Sequence, residues 1–279
     1  MRIELASSYG FCYGVKRAID IAEKHKNSLT YGPLIHNKDE INRLKDGFNI
    51  GLAEGIQDIK KNDTVVIRTH GIPKDELKVL KAQENKVIDA TCPYVTKPQQ
   101  IVEEMSSSGY SVVIFGDKNH PEIKGVFSYA GGEQAFIVLD KSELLELPLR
   151  NKVAVVAQTT RKPEDFLKIV NYLILKHKEV RVFNTICNAT FENQDAASDL
   201  AKDADVMIVI GGKHSSNTKQ LHSISSYFCK DSYLIENESE LSTEWFKDKQ
   251  LCGISAGAST PDWIVQNVIN EIKKIKATN

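Results

Sequence analysis

The sequence has no apolar run long enough to cross a membrane and no excess of either charge. A membrane-spanning helix needs roughly 18 or more mostly apolar residues in a row, and the 279 residues contain no such run. Its 36 lysines and arginines stand against 37 aspartates and glutamates, a formal net charge of −1. We therefore expect neither a membrane anchor nor a basic surface for nucleic acid.

Signal-peptide features and nucleotide-binding motifs are also missing. The start Met-Arg-Ile-Glu has no apolar h-region, and the chain has neither a P-loop nor a Gly-x-Gly-x-x-Gly turn. Five cysteines are an odd number at wide spacing, which argues against a disulfide framework. We therefore expect a cytoplasmic protein that uses its thiols for chemistry and whose ligand is not obviously a nucleotide.

A short apolar run that ends at a cysteine occurs three times. The runs in residues 87–92 and 182–187 end at Cys92 and Cys187, and residues 3–12 form a looser copy that ends at Cys12. Each run resembles a strand and is followed by apolar residues at helical spacing. The sequence therefore predicts three cysteines at equivalent strand ends.

Other polar residues recur at matching positions in these copies. Gly116 lies 24 residues after Cys92, and Gly211 lies 24 residues after Cys187. Four positions beyond the glycine of each copy stand His36, His120 and Ser215. A later strand in each copy ends near His70, Thr160 or Ser259. Because functional groups gather beyond the carboxyl ends of parallel strands, these side chains are expected to converge.

The repeats predict an α/β fold, a pseudo-threefold trefoil of three small parallel-sheet α/β units around a shared centre. The predicted units are residues 13–92, 93–186 and 187–279, and residues 1–12 are expected to supply the last strand of the third unit. Residues 47–55 are predicted to form a loop. The pattern at residues 96–99 predicts a helix start that places Pro98 in the first turn.

Three cysteines at equivalent positions can bind a metal ion or an iron–sulfur cluster. Clusters usually take four cysteine ligands, so three would leave one iron open to a substrate. Zinc with an open site is an alternative, although catalytic zinc more often has histidine and carboxylate ligands. Buried thiols that bind nothing are the second alternative. This last interpretation is preferred for Cys229 and Cys252, which have no counterparts in the repeat.

The histidines and small polar residues at the other strand ends suit a bound anion. Protonated imidazoles and helix N-termini both favour phosphate groups. The candidate anion ligands are His36, His70, His120, Ser215, Ser216, Asn217 and Ser259. Glu122 is the one carboxylate within this set and is therefore the candidate proton donor. The alternative for Glu122 is a solvated loop glutamate.

Seven short motifs occur in the order found in a known family. They are Gly-Phe-Cys-Tyr-Gly-Val at 10–15, Arg-Thr-His-Gly-Ile at 68–72, Asp-Ala-Thr-Cys-Pro at 89–93, His-Pro-Glu at 120–122, Gln-Thr-Thr at 158–160, Ser-Ser-Asn at 215–217 and Gly-Ala-Ser-Thr-Pro at 257–261. Over essentially its whole length the chain resembles the 4-hydroxy-3-methylbut-2-enyl diphosphate reductases. This resemblance rests on all seven motifs together.

The resemblance implies one 4Fe-4S cluster at the centre of the trefoil, with one open iron and with Cys12, Cys92 and Cys187 as its ligands. It implies that the diphosphate of the substrate is held by His36, His70, His120, Ser215, Ser216, Asn217 and Ser259. Glu122 would be the proton source, and Thr159 would position the substrate hydroxyl and help to deliver protons.

The implied reaction is the two-electron reductive dehydroxylation of (E)-4-hydroxy-3-methylbut-2-enyl diphosphate to isopentenyl and dimethylallyl diphosphates, the last step of the non-mevalonate (methylerythritol phosphate) isoprenoid pathway. No flavin or nicotinamide motif is present, so the electrons are expected from a separate protein, by resemblance a ferredoxin or a flavodoxin. The closed array of three units needs no partner to bury its core, so we expect a monomer. The alternative functions are an aconitase-like hydro-lyase, an iron–sulfur redox sensor and a structural zinc protein.

Overall fold

The computed structural model describes residues 1–35 and 37–278, with all of their side chains except those of Ser216 and residues 276–278. The strands, in chain order from β1 to β12, are Arg2–Leu5, Leu29–Tyr31, Gly51–Ala53, Thr64–Ile67, Lys86–Asp89, Ser111–Phe115, Ala135–Val138, Lys152–Ala157, Glu179–Val182, Val206–Ile210, Ser232–Ile235 and Leu251–Ala256. The helices, in chain order from α1 to α9, are Tyr13–Lys24, Lys38–Phe48, Lys74–Ala82, Pro93–Ser107, Pro121–Phe127, Pro163–Lys176, Ala189–Asp203, Ser216–Phe228 and Asp262–Thr278.

The strands form three four-stranded sheets, and every pairing within them is parallel. The strand orders are β3-β2-β4-β5, β7-β6-β8-β9 and β11-β10-β12-β1. We number the four strands of the three sheets in the orders β2 to β5, β6 to β9, and β10, β11, β12, β1. In each sheet the first strand then lies between the second and the third, and the fourth lies at the edge beside the third. The predicted α/β fold with three small parallel sheets is therefore confirmed.

The third sheet takes its edge strand from the beginning of the chain. Strand β1 pairs in parallel with β12, with Arg2 opposite Leu251 and Leu5 opposite Ile254. In the other two sheets, α3 and α6 lead from the third strand to the fourth. The N-terminal segment therefore supplies the edge strand of this sheet. The division into three units at residues 12/13, 92/93 and 186/187 remains a prediction.

The apolar core consists of central strands packed against helices. Strands β6 and β10 are buried along their whole length, and Ile208 of β10 is fully buried. Their valines and isoleucines favour strands because branched side chains pack well on a pleated surface. Prolines at the first helical position start α4, α5 and α6, where no backbone N–H is needed.

The chain divides into two compact units. Unit A consists of Met1–Lys16, Ile35–Leu44 and Asn188–Asn279 and contains the third sheet. Unit B consists of Arg17–Leu34 and Lys45–Cys187 and contains the other two sheets. Across residues 1–35 and 37–278, no helix is both long enough and apolar enough to cross a membrane.

Two local predictions were wrong. Residues 47–55 are not a loop, since they contain the end of α2 and the whole of strand β3. Helix α4 begins at Pro93, with Cys92 as its cap, so Pro98 lies inside the helix instead of in its first turn. The early start is favoured by Pro93 itself, whose fixed φ suits the first helical position.

Burial of strand β10 leads to a stability prediction. Ile208→Ala removes a fully buried side chain, and we expect a loss of about 2 to 5 kcal/mol in the free energy of unfolding, because a cavity forms as burial is lost. Leu175→Ala is the control, since Leu175 is 83% exposed and its truncation should change stability by no more than about 0.5 kcal/mol. Urea unfolding measures both, and equal losses would contradict the assignment of β10 to the core.

Candidate functional site

The three candidate cysteines have the same backbone contact. Each cysteine N–H donates to the carbonyl of the residue two positions after the third strand of its sheet. The pairs are Cys92 to Thr69 at 2.9 Å, Cys187 to Thr159 at 2.7 Å and Cys12 to Ala258 at 3.3 Å. The structure thus places all three cysteines at corresponding positions, although Cys12 lies in unit A and the other two lie in unit B.

Each of these cysteines lies at a helix start and is partly exposed. Cys12 directly precedes α1, Cys92 caps α4, and Cys187 lies two residues before α7. A helix start and partial exposure are thus features that all three cysteines share.

The other two cysteines differ from these three. Cys229 and Cys252 are buried, and burial raises the pKa of both thiols, that of Cys252 to about 12. A thiol with so high a pKa stays protonated and is a poor ligand. Their interpretation as inert core residues agrees with this burial.

The residue type shared by these three partly exposed positions fits an iron–sulfur cofactor. Soft thiolate ligands select iron–sulfur clusters, zinc or copper(I), and each cysteine presents its thiol at a helix start. Within the described residues, no three His, Cys, Asp or Glu side chains are arranged to hold a single metal ion.

Two of the candidate anion ligands meet in unit B. The rings of His70 and His120 have centroids 5.2 Å apart and are nearly perpendicular, at 88°. His120 caps α5, and its Nδ1 accepts a hydrogen bond from the N–H of Glu122 at 3.2 Å. This contact assigns the ring proton of His120 to Nε2.

Glu122 is a buried carboxyl, not a solvated loop residue. Its side chain is 1% exposed. Thr159 donates to it twice, from its N–H to Oε1 at 2.8 Å and from its Oγ1 to Oε2 at 2.7 Å. Burial raises the pKa of Glu122, and it outweighs the hydrogen bonds from Thr159 and the charge of Arg161, which lower it. A raised pKa keeps more of this carboxyl protonated near neutral pH, as a general acid requires.

Sequence reasoning did not assign a role to Gln158, which lies in the Gln-Thr-Thr motif. Its Oε1 accepts a hydrogen bond from the N–H of Asp117 at 2.9 Å, and its Nε2 donates to Thr160 Oγ1 at 3.3 Å. Gln158 thus joins the loop before His120 to the turn that carries Thr159. The signal available in the sequence was its position directly before the two threonines.

The remaining candidates lie in unit A at the ends of two neighbouring strands. Ser215 caps α8 and accepts from the N–H of Thr218 at 3.3 Å. Asn217 follows it, and both its Oδ1 and its Nδ2 are buried without a hydrogen-bond partner among the described residues. Ser259 is partly exposed and follows β12. His36 and the side chain of Ser216 lie outside the described part of the chain.

The unsatisfied amide of Asn217 indicates a ligand. Buried polar atoms are almost always hydrogen-bonded, so an amide that lacks both bonds lies where a bound polar group can supply them. Asn217 is the second residue of the 13-residue helix α8, whose N–H groups carry partial positive charge. An anion at this helix start would satisfy both requirements.

Comparisons with known proteins identify the family. A family model described as LytB protein matches residues 3–273. The chain belongs to this family. It is 76% identical to the 4-hydroxy-3-methylbut-2-enyl diphosphate reductase of Sulfurovum sp. (strain NBC37-1), over 99% of this chain and 100% of that protein. It is 65% identical to the protein of the same name from Campylobacter curvus (strain 525.92), over 98% of this chain and 100% of that one.

Solved structures of the LytB family share the fold. A structure of (E)-4-hydroxy-3-methyl-but-2-enyl diphosphate reductase, described as the terminal enzyme of the non-mevalonate pathway, is 43% identical, with a TM-score of 0.82 and coverage of 98% of this chain and 99% of that one. A reductase from Plasmodium falciparum is 27% identical, also with a TM-score of 0.82, over 96% of this chain and 86% of that one. Membership of the LytB family makes the chain an oxidoreductase and implies an iron–sulfur cofactor.

The burial of Glu122 predicts a pH-dependent stability difference. Because its pKa is raised in the folded state, folding binds a proton, and the wild type loses stability as pH rises from the unfolded pKa through the folded one. Glu122→Gln carries no charge at any pH and can still accept from Thr159 N–H. We therefore expect the free energy of unfolding of this variant to exceed that of the wild type by a growing amount as pH rises. In acid the difference between the two proteins should disappear.

Urea unfolding measures this difference in the free energy of unfolding. It is carried out at a series of pH values between roughly 5 and 9, around neutrality. Glu271→Gln is the matched control, because Glu271 lies on the surface of α9 and pairs with Lys274 at 2.7 Å. It should show no comparable gain at high pH. A constant gap between Glu122→Gln and the wild type at all pH values would refute the raised pKa.

Proposed function

We propose that this LytB-family chain catalyses the reductive dehydroxylation of (E)-4-hydroxy-3-methylbut-2-enyl diphosphate to isopentenyl and dimethylallyl diphosphates. The names of its relatives and its membership of the family support this reaction. The observation that carries it in the structure is the buried Glu122 carboxyl, which Thr159 binds through two hydrogen bonds. Replacing C–OH by C–H consumes two electrons and two protons and releases water, so a proton source beside the reacting hydroxyl is essential.

Binding of the diphosphate is assigned to histidines and small polar groups. In unit B, the imidazole rings of His70 and His120 lie side by side, with centroids 5.2 Å apart. In unit A, Ser215, Asn217 and Ser259 lie beyond the ends of β10 and β12, where the unsatisfied Asn217 amide supports a polar ligand. His36 and Ser216 complete the proposed set of ligands. Fixing the diphosphate through several such groups orients the allylic hydroxyl before reaction.

Proton delivery is assigned to Glu122 and Thr159. A protonated Glu122 can pass its proton from Oε2 to Thr159 Oγ1, since these oxygens are 2.7 Å apart. The Thr159 hydroxyl then gives its own proton to the leaving hydroxyl, which departs as water. The backbone N–H of Thr159, bound to Oε1 at 2.8 Å, stabilises the carboxylate that remains.

The proposed cofactor is one 4Fe-4S cluster with Cys12, Cys92 and Cys187 as ligands and one open iron. When bound, the cluster supplies electrons to the substrate and a Lewis-acidic iron for its hydroxyl. We assign the delivery of electrons to a ferredoxin or a flavodoxin, and propose that the protein acts as a monomer in the cytoplasm.

Activity measurements test the assignment of Glu122 and the cysteines. Anaerobically purified protein with reduced viologen should bleach the dye when the allylic diphosphate is added. Glu122→Gln should lower kcat by roughly 100-fold or more, the usual contribution of a positioned acid, and serine at any of the three ligand cysteines should abolish bleaching. Cys229→Ala is the matched control and should retain both activity and cluster absorbance.

Two results would contradict the proposal. Water loss from the substrate without viologen oxidation would favour the hydro-lyase, because dehydration consumes no electrons. Brown protein that neither bleaches viologen nor releases water would favour the sensor.

The hydrogen bond between Thr159 and Glu122 predicts a shift in the pH profile. The Thr159 hydroxyl lowers the pKa of Glu122, so Thr159→Val should raise it further. Because the acid must be protonated, activity declines as pH rises through this pKa, and the alkaline limb of the residual kcat profile should move to higher pH. Thr159→Ser retains the hydroxyl and should leave the limb in place. A limb at the same pH in all three proteins would remove Glu122 from the rate-determining ionisation.

A further inference from the structure

Unit A contains a second buried carboxylate that the proposed proton transfer does not use. Glu40, on the first turn of α2, is 1% exposed. Its Oε1 accepts from the guanidinium of Arg43 at 2.6 Å, and its Oε2 accepts from Arg43 Nε at 2.8 Å and from the indole Nε1–H of Trp263 at 2.8 Å. A buried carboxylate is tolerated only with such partners, since an unpaired one is strongly destabilising.

The bond between Glu40 and Trp263 joins two helix starts that are far apart in the chain. Asn37 caps the first turn of α2, because its Oδ1 accepts from the N–H of Glu40 at 2.9 Å and its carbonyl accepts from Ile41 at 3.1 Å. Trp263 is the second residue of α9. A single carboxylate oxygen thus connects the beginning of α2 to the beginning of α9.

Each of these helix starts directly follows a segment with a proposed diphosphate ligand. His36 immediately precedes Asn37 in the sequence. Ser259 lies in the turn before α9, and the next residue, Thr260, is anchored by its Oγ1 to the carbonyl of Ile210 at 3.1 Å and by its N–H to the carbonyl of Gly257 at 2.8 Å. The turn therefore has one fixed end at β10 and continues at the other into α9, which Glu40 contacts.

We propose that Glu40 is a positioning residue for diphosphate binding, acting through Trp263 and Asn37 on the two ligand-bearing segments. This proposal rests on the function proposed above, because that function assigns the diphosphate to those segments. Glu40 does not touch the substrate. Its charge holds the indole of Trp263 and the guanidinium of Arg43 in fixed directions, so the two helix starts keep one relative placement before the ligand arrives. Preorganisation of this kind lowers the entropic cost of binding and is expected in substrate affinity rather than in the chemical step.

Two substitutions test the contact from its two sides. Glu40→Gln retains the shape of the side chain but removes the charge, and Trp263→Phe removes the indole donor while Phe keeps much of the packing. We expect each to raise the KM for the allylic diphosphate about tenfold, the size of one lost hydrogen bond to a charged group, with kcat within about twofold of the wild type. Glu271→Gln on the surface of α9 makes the same chemical change and should alter neither constant.

Tryptophan fluorescence supplies a readout that is independent of turnover. Trp245 stacks on Tyr233 with centroids 4.0 Å apart, and Trp245→Phe leaves Trp263 as the remaining tryptophan, since the chain has two. In this parent, titration of the cluster-loaded protein with inorganic pyrophosphate should change the Trp263 emission. Adding Glu40→Gln should shift the starting emission and raise the Kd for pyrophosphate about tenfold, in step with KM.

The results distinguish failure of the positioning role of Glu40 from failure of the proposed function. A fall in kcat with unchanged KM and unchanged pyrophosphate affinity would overturn the positioning role, as would wild-type constants in both variants. If Glu40→Gln does not fold, Trp263→Phe still decides the question through KM. If the wild type bleaches no viologen with the allylic diphosphate, the proposed function fails, but the pyrophosphate titration still tests whether Glu40 organises an anion site.

Discussion

The placement of the three candidate cysteines depends on one backbone hydrogen bond that occurs once in each sheet. The cysteine N–H meets the carbonyl two residues beyond the third strand, whether that residue is Thr69, Thr159 or Ala258. Because this contact uses only backbone atoms, it does not depend on which side chains surround it. The loop after the fourth strand and the turn after the third are thereby held together, and the next helix starts beside the thiol. The position of each candidate cysteine within its own sheet is thus a property of the strand connections.

The same backbone arrangement holds side chains of different chemistry in different sheets. Glu122 lies six residues after Gly116, and Asn217 lies six residues after Gly211; each is the second residue of its helix. The turn opposite Glu122 contains Thr159, whose hydroxyl and N–H both bind the carboxyl. The matching residue of the third sheet is Ala258, which has no hydroxyl, and the Asn217 amide has no partner within the described part of the chain. One position thus holds a buried acid with two hydrogen bonds from Thr159, and its counterpart holds a buried amide.

The sequence was sufficient to predict the architecture, because the architecture follows from local patterns. Branched apolar runs such as residues 206–210 indicate buried strands, and equal spacings after Cys92 and Cys187 reveal the repeat. Strand β3 was missed because it has three residues and begins with glycine, so its pairing with β2 outweighs its weak intrinsic preference.

Side-chain contacts between distant residues could not be predicted in this way. The raised pKa of Glu122 depends on its burial and on Thr159, 37 residues further along the chain. Glu40 is part of a charged, ordinary-looking helix sequence, and only the folded chain brings Trp263 to it across 223 residues. Such contacts leave no periodic signal, since they depend on which elements become neighbours.

The edge strand of the third sheet has a consequence for the order of assembly during synthesis. Strand β1 is made first, but its partner β12 lies about 250 residues later along the chain, and chains emerge from the ribosome N-terminus first. Until β12 is available, the segment that carries Cys12 has neither its sheet neighbour nor the Ala258 carbonyl that fixes it. The ligand set is therefore complete only when almost the whole chain has been made. A prematurely terminated chain that lacks β12 and Ala258 leaves the Cys12 segment without both of these contacts.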